Sequence, residues 1–431
     1  MSEFNPYVFD IVICLVIVLS YAFSIVSRKT NIPSVLLLIG LGVGIQYALK
    51  YLEIDAGTSL FQTLEVLGIF GLIMIVLEAA LDLKLTRDKL PLIAKSFSIA
   101  LLALVATSLA IAYLLYSTVI PVFLTALVYS VPLSVMSSAI IIPSVVGLSE
   151  HKREFLIYES TFSDILGIMY FYFLTGNLET QQASTVITDV VSNVTLTIVL
   201  SVVLGYLLVW FFQQLNTEVK LFLLIAVLVL LYSVGKLFHL SSLVIILIFG
   251  LMLNNYQLFF RGRLQAWIDQ SAITKICEEF HLVTIESAFV VRTFFFVVFG
   301  MTLELNSLLD QGTLFTGMLI VAITYVIRYI CLKSILLRNI LPELWVAPRG
   351  LITILLFFSI PAQLVTDQFN SGILLCTILV TSLIMTAALL TKPKATTGEE
   401  FTELTFEDWE ELDQMSQPTA LEEESEKKVT Q

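Results

Sequence analysis

Long uninterrupted runs of apolar residues, separated by short charged segments, fill most of the first 391 positions of this chain. A helix needs about 20 apolar residues to cross the hydrocarbon core of a bilayer, and most of these runs approach that length. A membrane β-barrel would instead show segments of about 10 residues with alternating polarity. The pattern therefore predicts an all-α polytopic membrane protein with about thirteen transmembrane helices.

The bounds of the predicted spans come from the length of each apolar run. In chain order the spans are Val8–Val26, Pro33–Leu49, Gln62–Leu81, Lys95–Leu115, Val119–Leu148, Phe155–Leu174, Val186–Phe212, Leu221–Leu237, Leu240–Leu253, Leu282–Met301, Thr313–Leu332, Leu341–Val365 and Phe369–Leu390. The ninth span is short, and we expect it to be tilted or to form part of a hairpin.

Basic residues concentrate in every second connection between these spans. Lys84, Arg87 and Lys89 follow the third span, and Lys152 and Arg153 follow the fifth. Cytoplasmic loops carry the excess of Lys and Arg in membrane proteins. We therefore expect the N-terminus outside and the C-terminus in the cytoplasm of a plasma (inner) membrane, with lipids around the spans.

Composition divides the chain into a membrane domain at 1–391 and a tail at 392–431. Hydrophobic residues make up 58% of the chain and charged residues 13%, whereas soluble proteins are about one quarter charged. Much of the net charge of −12 lies between Glu399 and Glu426. This acidic cytoplasmic tail is predicted to be disordered, either a solvated spacer or a short amphipathic segment that binds a cytoplasmic partner. Nucleic acid is not an expected partner of so acidic a chain.

Ionisable residues inside predicted spans are costly and usually mark sites of function. Here they are Glu78, Glu159, Asp164, Arg292, Arg328 and, near a span edge, Arg349. Asp164 lies near the middle of the sixth span with no basic residue within a helical turn. It is predicted to hold a proton and a monovalent cation in turn, with Ser163 as a neighbouring oxygen ligand. The alternative is a structural pair between Asp164 and a basic side chain of another helix.

Four other charges within the predicted spans are expected to form ion pairs or to line the route to the site. Glu159 lies about 7.5 Å from Asp164 along the helix axis, at a depth that Arg328 also reaches, so an ion pair between them is plausible. Arg292 could instead neutralise Asp164 in one state, and the sequence leaves open which arginine pairs with which acid. Glu78 either lines an inner funnel or extends towards the interface with Asp82.

Two spans carry prolines that predict broken helices. The fifth contains Pro121, Pro132 and Pro143 around Ser134, Ser137 and Ser138, and the twelfth contains Pro342, Pro348, Arg349, Gly350 and Pro361. Interrupted spans at corresponding positions of two halves indicate an inverted-repeat transporter. Spans 1–6 would then map on spans 8–13, with span 7 as the linker. Ordinary proline kinks are the alternative.

Four segments resemble motifs of the monovalent cation/proton antiporter superfamily, in particular its one-aspartate sodium/proton exchanger branch. Residues Glu159–Asp164 resemble the motif Glu-Ser-Leu-Leu-Asn-Asp, and Phe294–Leu303 resembles a Phe-rich stretch ending in Gly-Leu/Val-Ser. Residues Trp345–Ile352 resemble Gly-Leu-Arg-Gly-Ala-Val, and Phe249–Asn254 resembles a helix ending in Gly-x-x-x-Asn. The four occur in order and span most of the membrane domain.

The resemblance implies an antiporter fold, an ion-binding aspartate at Asp164 and an ion pair between Glu159 and Arg328. It also implies a homodimer, in which core helices at about 95–174 and 313–390 move like an elevator against a dimerisation domain. Two departures are visible. Ser163 replaces the Asn of the motif, and Ser134 or the pair Ser137-Ser138 stands where the family has Thr-Asp-Pro.

The sequence therefore predicts a secondary active antiporter that exchanges protons for Na⁺, with Li⁺ and K⁺ as further candidates. A single acid without an acidic neighbour resembles the electroneutral branch. The alternative is a non-transporting sensor or scaffold that acts through its acidic tail. An enzyme is not expected, because none of His151, His239 and His281 shares an apolar face with a Ser or an acid at catalytic spacing. The chain has no nucleotide-binding loop, and no cofactor is predicted.

Overall fold

The computed structural model describes residues 6–30, 34–51, 70–71, 73–83, 85, 88–145, 147–176, 199–214, 220–237, 242–260, 269–302, 310–336, 340–366 and 368–391. Regular structure in these residues is helical throughout. The helices are α1 (Pro6–Thr30), α2 (Ser34–Tyr51), α3 (70–71 and 73–82), α4 (Leu90–Thr118), α5 (Phe123–Ser134), α6 (Ser138–Ser144), α7 (Glu150–Gly176), α8 (199–213), α9 (Lys220–Leu237), α10 (Ser242–Asn254), α11 (Tyr256–Phe259), α12 (Gln270–Thr302), α13 (Gln311–Leu336), α14 (Leu351–Phe358) and α15 (Gly372–Leu390).

The lengths of these helices confirm a multi-pass membrane protein. Within the described residues, six helical segments have the length and hydropathy of membrane spans: 34–51, 90–118, 123–142, 272–302, 311–336 and 372–390. Shorter apolar helices accompany them. The number of thirteen spans stays a prediction, because parts of the third and seventh predicted spans, and the acidic tail at 392–431, lie outside the described residues.

Helices α4–α7 pack with α13–α15, and we call these the core group. Helices α1–α3, α9, α10 and α12 form a second set, which we call the scaffold group; its helix α10 also contacts α7. Helices α2 and α12 approach closely because glycines face each other: a Cβ added to Gly42 would lie 2.9 Å from the Cα of Gly300. Gly300 belongs to the Phe-rich motif, so this motif contributes packing between scaffold helices.

The fifth predicted span is broken, as its prolines indicated. Helix α5 ends at Ser134, and α6 begins at Ser138 after the extended residues 135–137. The break lies after Pro132, which is still inside α5. The extended residues 135–137 are buried, as expected for unwound backbone that protein must cover, and so are the last ten residues of α5, 125–134.

The twelfth predicted span, Leu341–Val365, is also broken, as its prolines indicated. Residues 341–345 form a turn, residues 346–350 run without regular structure, and α14 contains only eight residues. Pro361 ends the helical part and precedes a short 3₁₀ turn at Ala362–Leu364. Proline supplies no N–H for a helical hydrogen bond, which explains why the segment around Pro342 and Pro348 does not form helix. The expectation of two broken segments is confirmed.

Candidate functional site

The break between α5 and α6 frees three consecutive N–H groups, and each finds an acceptor outside its own helix. In a continuous helix these N–H groups would donate to the carbonyls of residues 132, 133 and 134. Instead Met136 donates to Ser163 Oγ (2.9 Å), Ser137 to the Pro348 carbonyl (3.0 Å) and Ser138 to Asp164 Oδ2 (3.0 Å). The unwound stretch is therefore held by α7 on one side and by the other broken segment on the other.

Arg349 occupies the carbonyl end of α5. Its Nε donates to the Leu133 carbonyl (2.7 Å), which the break leaves without its helical donor, and its main-chain N–H donates to Thr381 Oγ1 (3.1 Å). The C-terminal end of a helix carries about −0.5 of an elementary charge, so a guanidinium is stabilised there. Arg349 is only 3% exposed and forms no ion pair with a described acid. The helix end thus takes the place of a carboxylate partner.

The two broken segments cross in direct contact at Gly350. A Cβ added there would lie 2.6 Å from Ser137 Oγ and 2.7 Å from Ile140 Cδ1, closer than atoms can pack. The Arg349-Gly350 dipeptide, selected from the sequence as a broken-helix motif, therefore combines a cation for one helix end with the small residue that the crossing requires.

Asp164 is buried beside this crossing, with one carboxylate oxygen bonded and the other free. Both the main-chain N–H and the hydroxyl of Ser138 donate to Oδ2, the hydroxyl at 2.5 Å. Oδ1 is buried without a hydrogen-bond partner in the described structure, and so is Ser137 Oγ. Unpaired buried polar atoms are rare and need an explanation. Asp164 forms no ion pair with a described basic residue, so Oδ1 can accept a proton or a cation.

Glu159, five residues before Asp164 on α7, forms a bidentate ion pair with Arg328. Arg328 Nη1 and Nη2 lie 2.6 and 3.0 Å from the two carboxylate oxygens of Glu159, and both side chains are buried. Arg328 also donates to the carbonyls of Glu343 and Leu344, through Nη2 and Nε at 2.8 to 3.2 Å. The pair therefore fixes α7 and α13 to the turn that leads into the second broken segment.

Ser163 and Ser134, two further serines of the predicted site, form hydrogen bonds and line a small cavity. Ser163 Oγ accepts from Met136, as described, and Ser134 Oγ donates to the Ser130 carbonyl (2.8 Å). Both line a cavity of about 20 Å³, together with Glu159, Thr324 and other residues of the core group. That space suits about one water molecule. Asp164 is not among the residues that line it.

Glu78 and Arg292 pair with each other, which settles the partner of Arg292 in this structure. Arg292 Nη2 lies 3.0 and 3.1 Å from the carboxylate oxygens of Glu78. Asp82 Oδ1 lies 2.7 Å from His281 Nε2, one turn further along α3. The sequence had offered Arg292 as a partner of Asp164 and Glu78 as a funnel or interface residue; the pair between them was not foreseen.

Several contacts were missed from the sequence. Lys152 Nζ lies 3.0 Å from Glu343 Oε2, so an acid inside the twelfth predicted span has a partner that was not considered. Asn255, rather than the motif's Asn254, ties α10 to the end of α3: its Oδ1 accepts from the Leu85 N–H (2.6 Å), and its Nδ2 donates to the Leu83 carbonyl (2.8 Å). The only sequence signal was a pair of asparagines at the end of an apolar run.

Comparisons with known proteins agree with this architecture. The family model described as sodium/hydrogen exchanger, transmembrane, matches residues 14–392. A structure of the sodium proton antiporter MjNhaP1 from Methanocaldococcus jannaschii at pH 8 is 20% identical with a TM-score of 0.64, covering 88% of this chain and 94% of that chain. An electron-microscopy structure of the same antiporter is 19% identical with a TM-score of 0.64, covering 90% and 95%. At this identity the likeness shows the fold. No curated protein sequence matches the chain.

Proposed function

Because this chain belongs to the sodium/hydrogen exchanger family, we propose that it is a secondary active antiporter that exchanges protons for a monovalent cation through Asp164. The observation that carries the proposal is the buried Oδ1 of Asp164, which has no hydrogen-bond partner in the described structure. The other carboxylate oxygen, Oδ2, accepts a hydrogen bond from Ser138. A carboxylate in this state gains from a proton or a cation at Oδ1, and the two ligands exclude each other.

The charge balance of the core group supports exchange of one proton for one cation. Glu159 is neutralised by Arg328, and Arg349 is stabilised at the end of α5. Asp164 is then the one described acid of the site whose charge is left for an ion to neutralise. A carrier with one such acid has the same charge with a proton as with a monovalent cation, so the exchange is electroneutral.

The oxygen donors of the site suit an alkali cation. Oxygen is the ligand that hard cations prefer, and we assign Asp164 Oδ1 and Ser137 Oγ as the leading donors. Ser138 and Ser163 position the carboxylate and the unwound backbone. Na⁺ is the proposed substrate, with Li⁺ and K⁺ as candidates that the same donors would accept. This arrangement would replace the Thr-Asp-Pro donors of the family.

The two groups of helices support a mechanism of alternating access. We propose that the core group carries Asp164 across the membrane against the scaffold group, and that two copies associate through the scaffold. The N-terminus is proposed to lie outside and the acidic tail in the cytoplasm of a plasma membrane. The crossing of the broken helices supports an ion site in the core group, because transporters bind their ions where broken helices meet near the middle of the membrane.

The test is a transport assay with purified protein in liposomes that contain a pH-sensitive dye. Addition of Na⁺, Li⁺ or K⁺ to one side should drive protons to that side without generating a membrane potential. The rate with Na⁺ or Li⁺ should be the same with and without valinomycin when K⁺ is equal on both sides. Asp164→Asn should abolish the signal, whereas Glu286→Gln, an exposed acid of α12, should retain it. Cation-driven proton flux in Asp164→Asn would refute the assignment. Absence of flux for every cation in the unchanged protein would favour the non-transporting scaffold.

A further inference from the structure

The hydroxyl of Thr324 differs from most buried hydroxyl groups of the core helices. Ser130, Ser134, Thr377 and Thr381 each donate a hydrogen bond to a main-chain carbonyl about one turn earlier in their own helix, at 2.7 or 2.8 Å. Thr324 lies within α13 and is only 2% exposed, but its Oγ1 has no hydrogen-bond partner in the described structure. Burial of a hydroxyl without a partner is unfavourable, so Thr324 is expected to bind a polar ligand.

Thr324 lines the cavity of about 20 Å³ in the core group. Arg328, four residues further along α13, lines the same cavity, and so does its ion-pair partner Glu159. Residues four apart lie on one face of a helix, so Thr324 and the ion pair border one small space. A molecule held in the cavity therefore lies against both.

The residues around the cavity supply enough polar groups to hold a water molecule. A buried water needs two to four polar partners and a cavity of at least about 10–15 Å³. Ser163 Oγ accepts from the Met136 N–H, and a serine hydroxyl can donate its proton at the same time. Ser134 Oγ donates to the Ser130 carbonyl and can still accept. The carboxylate oxygens of Glu159 can accept in addition to their bonds with the guanidinium.

Ions suit the cavity less well than water does. Its lining residues include two with guanidinium groups, Arg328 and Arg349, and one with a carboxylate, Glu159, so their charge disfavours a cation. An anion would need N–H donors, but Nε, Nη1 and Nη2 of Arg328 already donate to protein oxygens. The carboxylate of Glu159 would also repel an anion. The lining therefore favours a neutral molecule that both donates and accepts hydrogen bonds.

We propose that this cavity is a binding site for one water molecule, which accepts a hydrogen bond from Thr324 Oγ1 and donates one to the carboxylate of Glu159. Met136 of the first broken segment and Ala347 of the second also line the cavity. The water therefore lies where α13, the ion pair and both broken segments meet. A water that bridges two polar groups is nearly as favourable in enthalpy as a direct hydrogen bond, so it stabilises this junction.

Thr324→Val tests the site through the sign of a change in stability. Valine has nearly the shape of threonine but no hydroxyl. With the water bound, this change removes a hydrogen bond, and the unfolding temperature in detergent should fall by about 2–4 °C. In a dry cavity, the same change removes a buried hydroxyl that has no partner, and the unfolding temperature should rise. An unchanged or higher unfolding temperature would overturn the proposal.

A high-resolution structure of the full-length protein tests the site directly. Density for one water should lie within hydrogen-bond distance of Thr324 Oγ1 and of a carboxylate oxygen of Glu159, and it should be absent from Thr324→Val. A map that resolves other buried waters of the core group but none at this place would overturn the proposal, even if Thr324→Val is less stable. Water retained at the same place in Thr324→Val would also overturn it.

Thr377→Val is the matched control, because the Thr377 hydroxyl donates to the Ile373 carbonyl within α15 (2.8 Å). This variant should keep the water density. If Thr324→Val does not fold, the map of the unchanged protein decides the question. Neither measurement uses a cation gradient, so the result does not depend on the outcome of the transport assay.

Discussion

The main-chain N–H of Ser137 donates to the carbonyl oxygen of Pro348 across 3.0 Å, and this bond joins the two broken helices where they cross. The carbonyl that Ser137 would have used in a continuous helix belongs to Leu133, and it accepts from the guanidinium of Arg349 instead. Two consecutive residues of one broken segment thus satisfy the donor and the acceptor that the other break releases. The second broken segment therefore stabilises the break between α5 and α6 at both its donor and its acceptor.

Arg349→Ala should destabilise the protein by removing this compensation. The Leu133 carbonyl would lose a charge-assisted hydrogen bond, and such bonds contribute about 1.5–3 kcal/mol. We expect a lower unfolding temperature in detergent and loss of exchange. Arg349→Lys keeps the charge but not the Nε donor geometry. Its unfolding temperature should therefore lie between those of Arg349→Ala and the unchanged protein. Equal unfolding temperatures for Arg349→Ala and the unchanged protein would contradict this role.

Ser137→Ala should lower cation affinity without lowering stability. Ser137 Oγ makes no hydrogen bond in the described structure, so its loss removes no hydrogen bond from the folded state. If it is a cation ligand, we expect the Na⁺ concentration at half-maximal exchange to rise about tenfold, equivalent to about 1.4 kcal/mol. Ser130→Ala is the matched control, because its hydroxyl donates to the Leu127 carbonyl within α5. Unchanged Na⁺ dependence in Ser137→Ala would remove Ser137 from the proposed ligand set.

Much of the site could be predicted because it follows from depth along single helices. The position of Asp164 in an apolar run, and the common depth of Glu159 and Arg328, need only the span bounds and the helical rise. The two breaks followed from prolines in long apolar segments. These features depend only on the local sequence or on depth in the membrane, and both can be estimated from the sequence.

The partners that the sequence missed depend on rotation of helices about their axes. Arg292 pairs with Glu78 rather than with Asp164 because α3 and α12 pack in the same group of helices. A span that is apolar on all sides gives no indication of which face meets which neighbour. The role of Arg349 was hidden for a related reason: its acceptor is a main-chain carbonyl, exposed only where α5 ends. Such contacts require the packed structure.

Glu159→Gln should be more harmful than simultaneous loss of both partners. The single change leaves Arg328 buried without a carboxylate, and breaking a buried pair in this way costs about 3–5 kcal/mol. Glu159→Gln/Arg328→Gln removes the unpaired charge, so it should recover part of the unfolding temperature measured in detergent. In the single variant Arg328 still donates to the carbonyls of Glu343 and Leu344, which limits the loss of stability. A double variant less stable than Glu159→Gln would show that Arg328 contributes mainly through those carbonyls.

Asp310→Ala should flatten the acid side of the stability profile. Asp310 lies just before α13, outside the predicted span, and its Oδ2 accepts from the N–H (2.9 Å) and the hydroxyl (2.8 Å) of Thr313. These hydrogen bonds lower the pKa of Asp310 from its ordinary value of 3.8. The stabilisation is therefore complete above that value and is lost as pH falls through the lower folded-state pKa.

The unfolding temperature, measured between about pH 5 and pH 2, should consequently fall more steeply in the unchanged protein than in Asp310→Ala. Thr313→Val removes the hydroxyl donor but keeps the N–H donor, so its slope should be intermediate. The hydrogen bonds from Thr313 stabilise the protein fully only when the Asp310 carboxylate is charged. The difference in unfolding temperature between the proteins should therefore vanish only at the acid end. If the unfolding temperatures of all three proteins fall in parallel over this range, the hydrogen bonds between Thr313 and Asp310 contribute no stability that depends on the charge of Asp310.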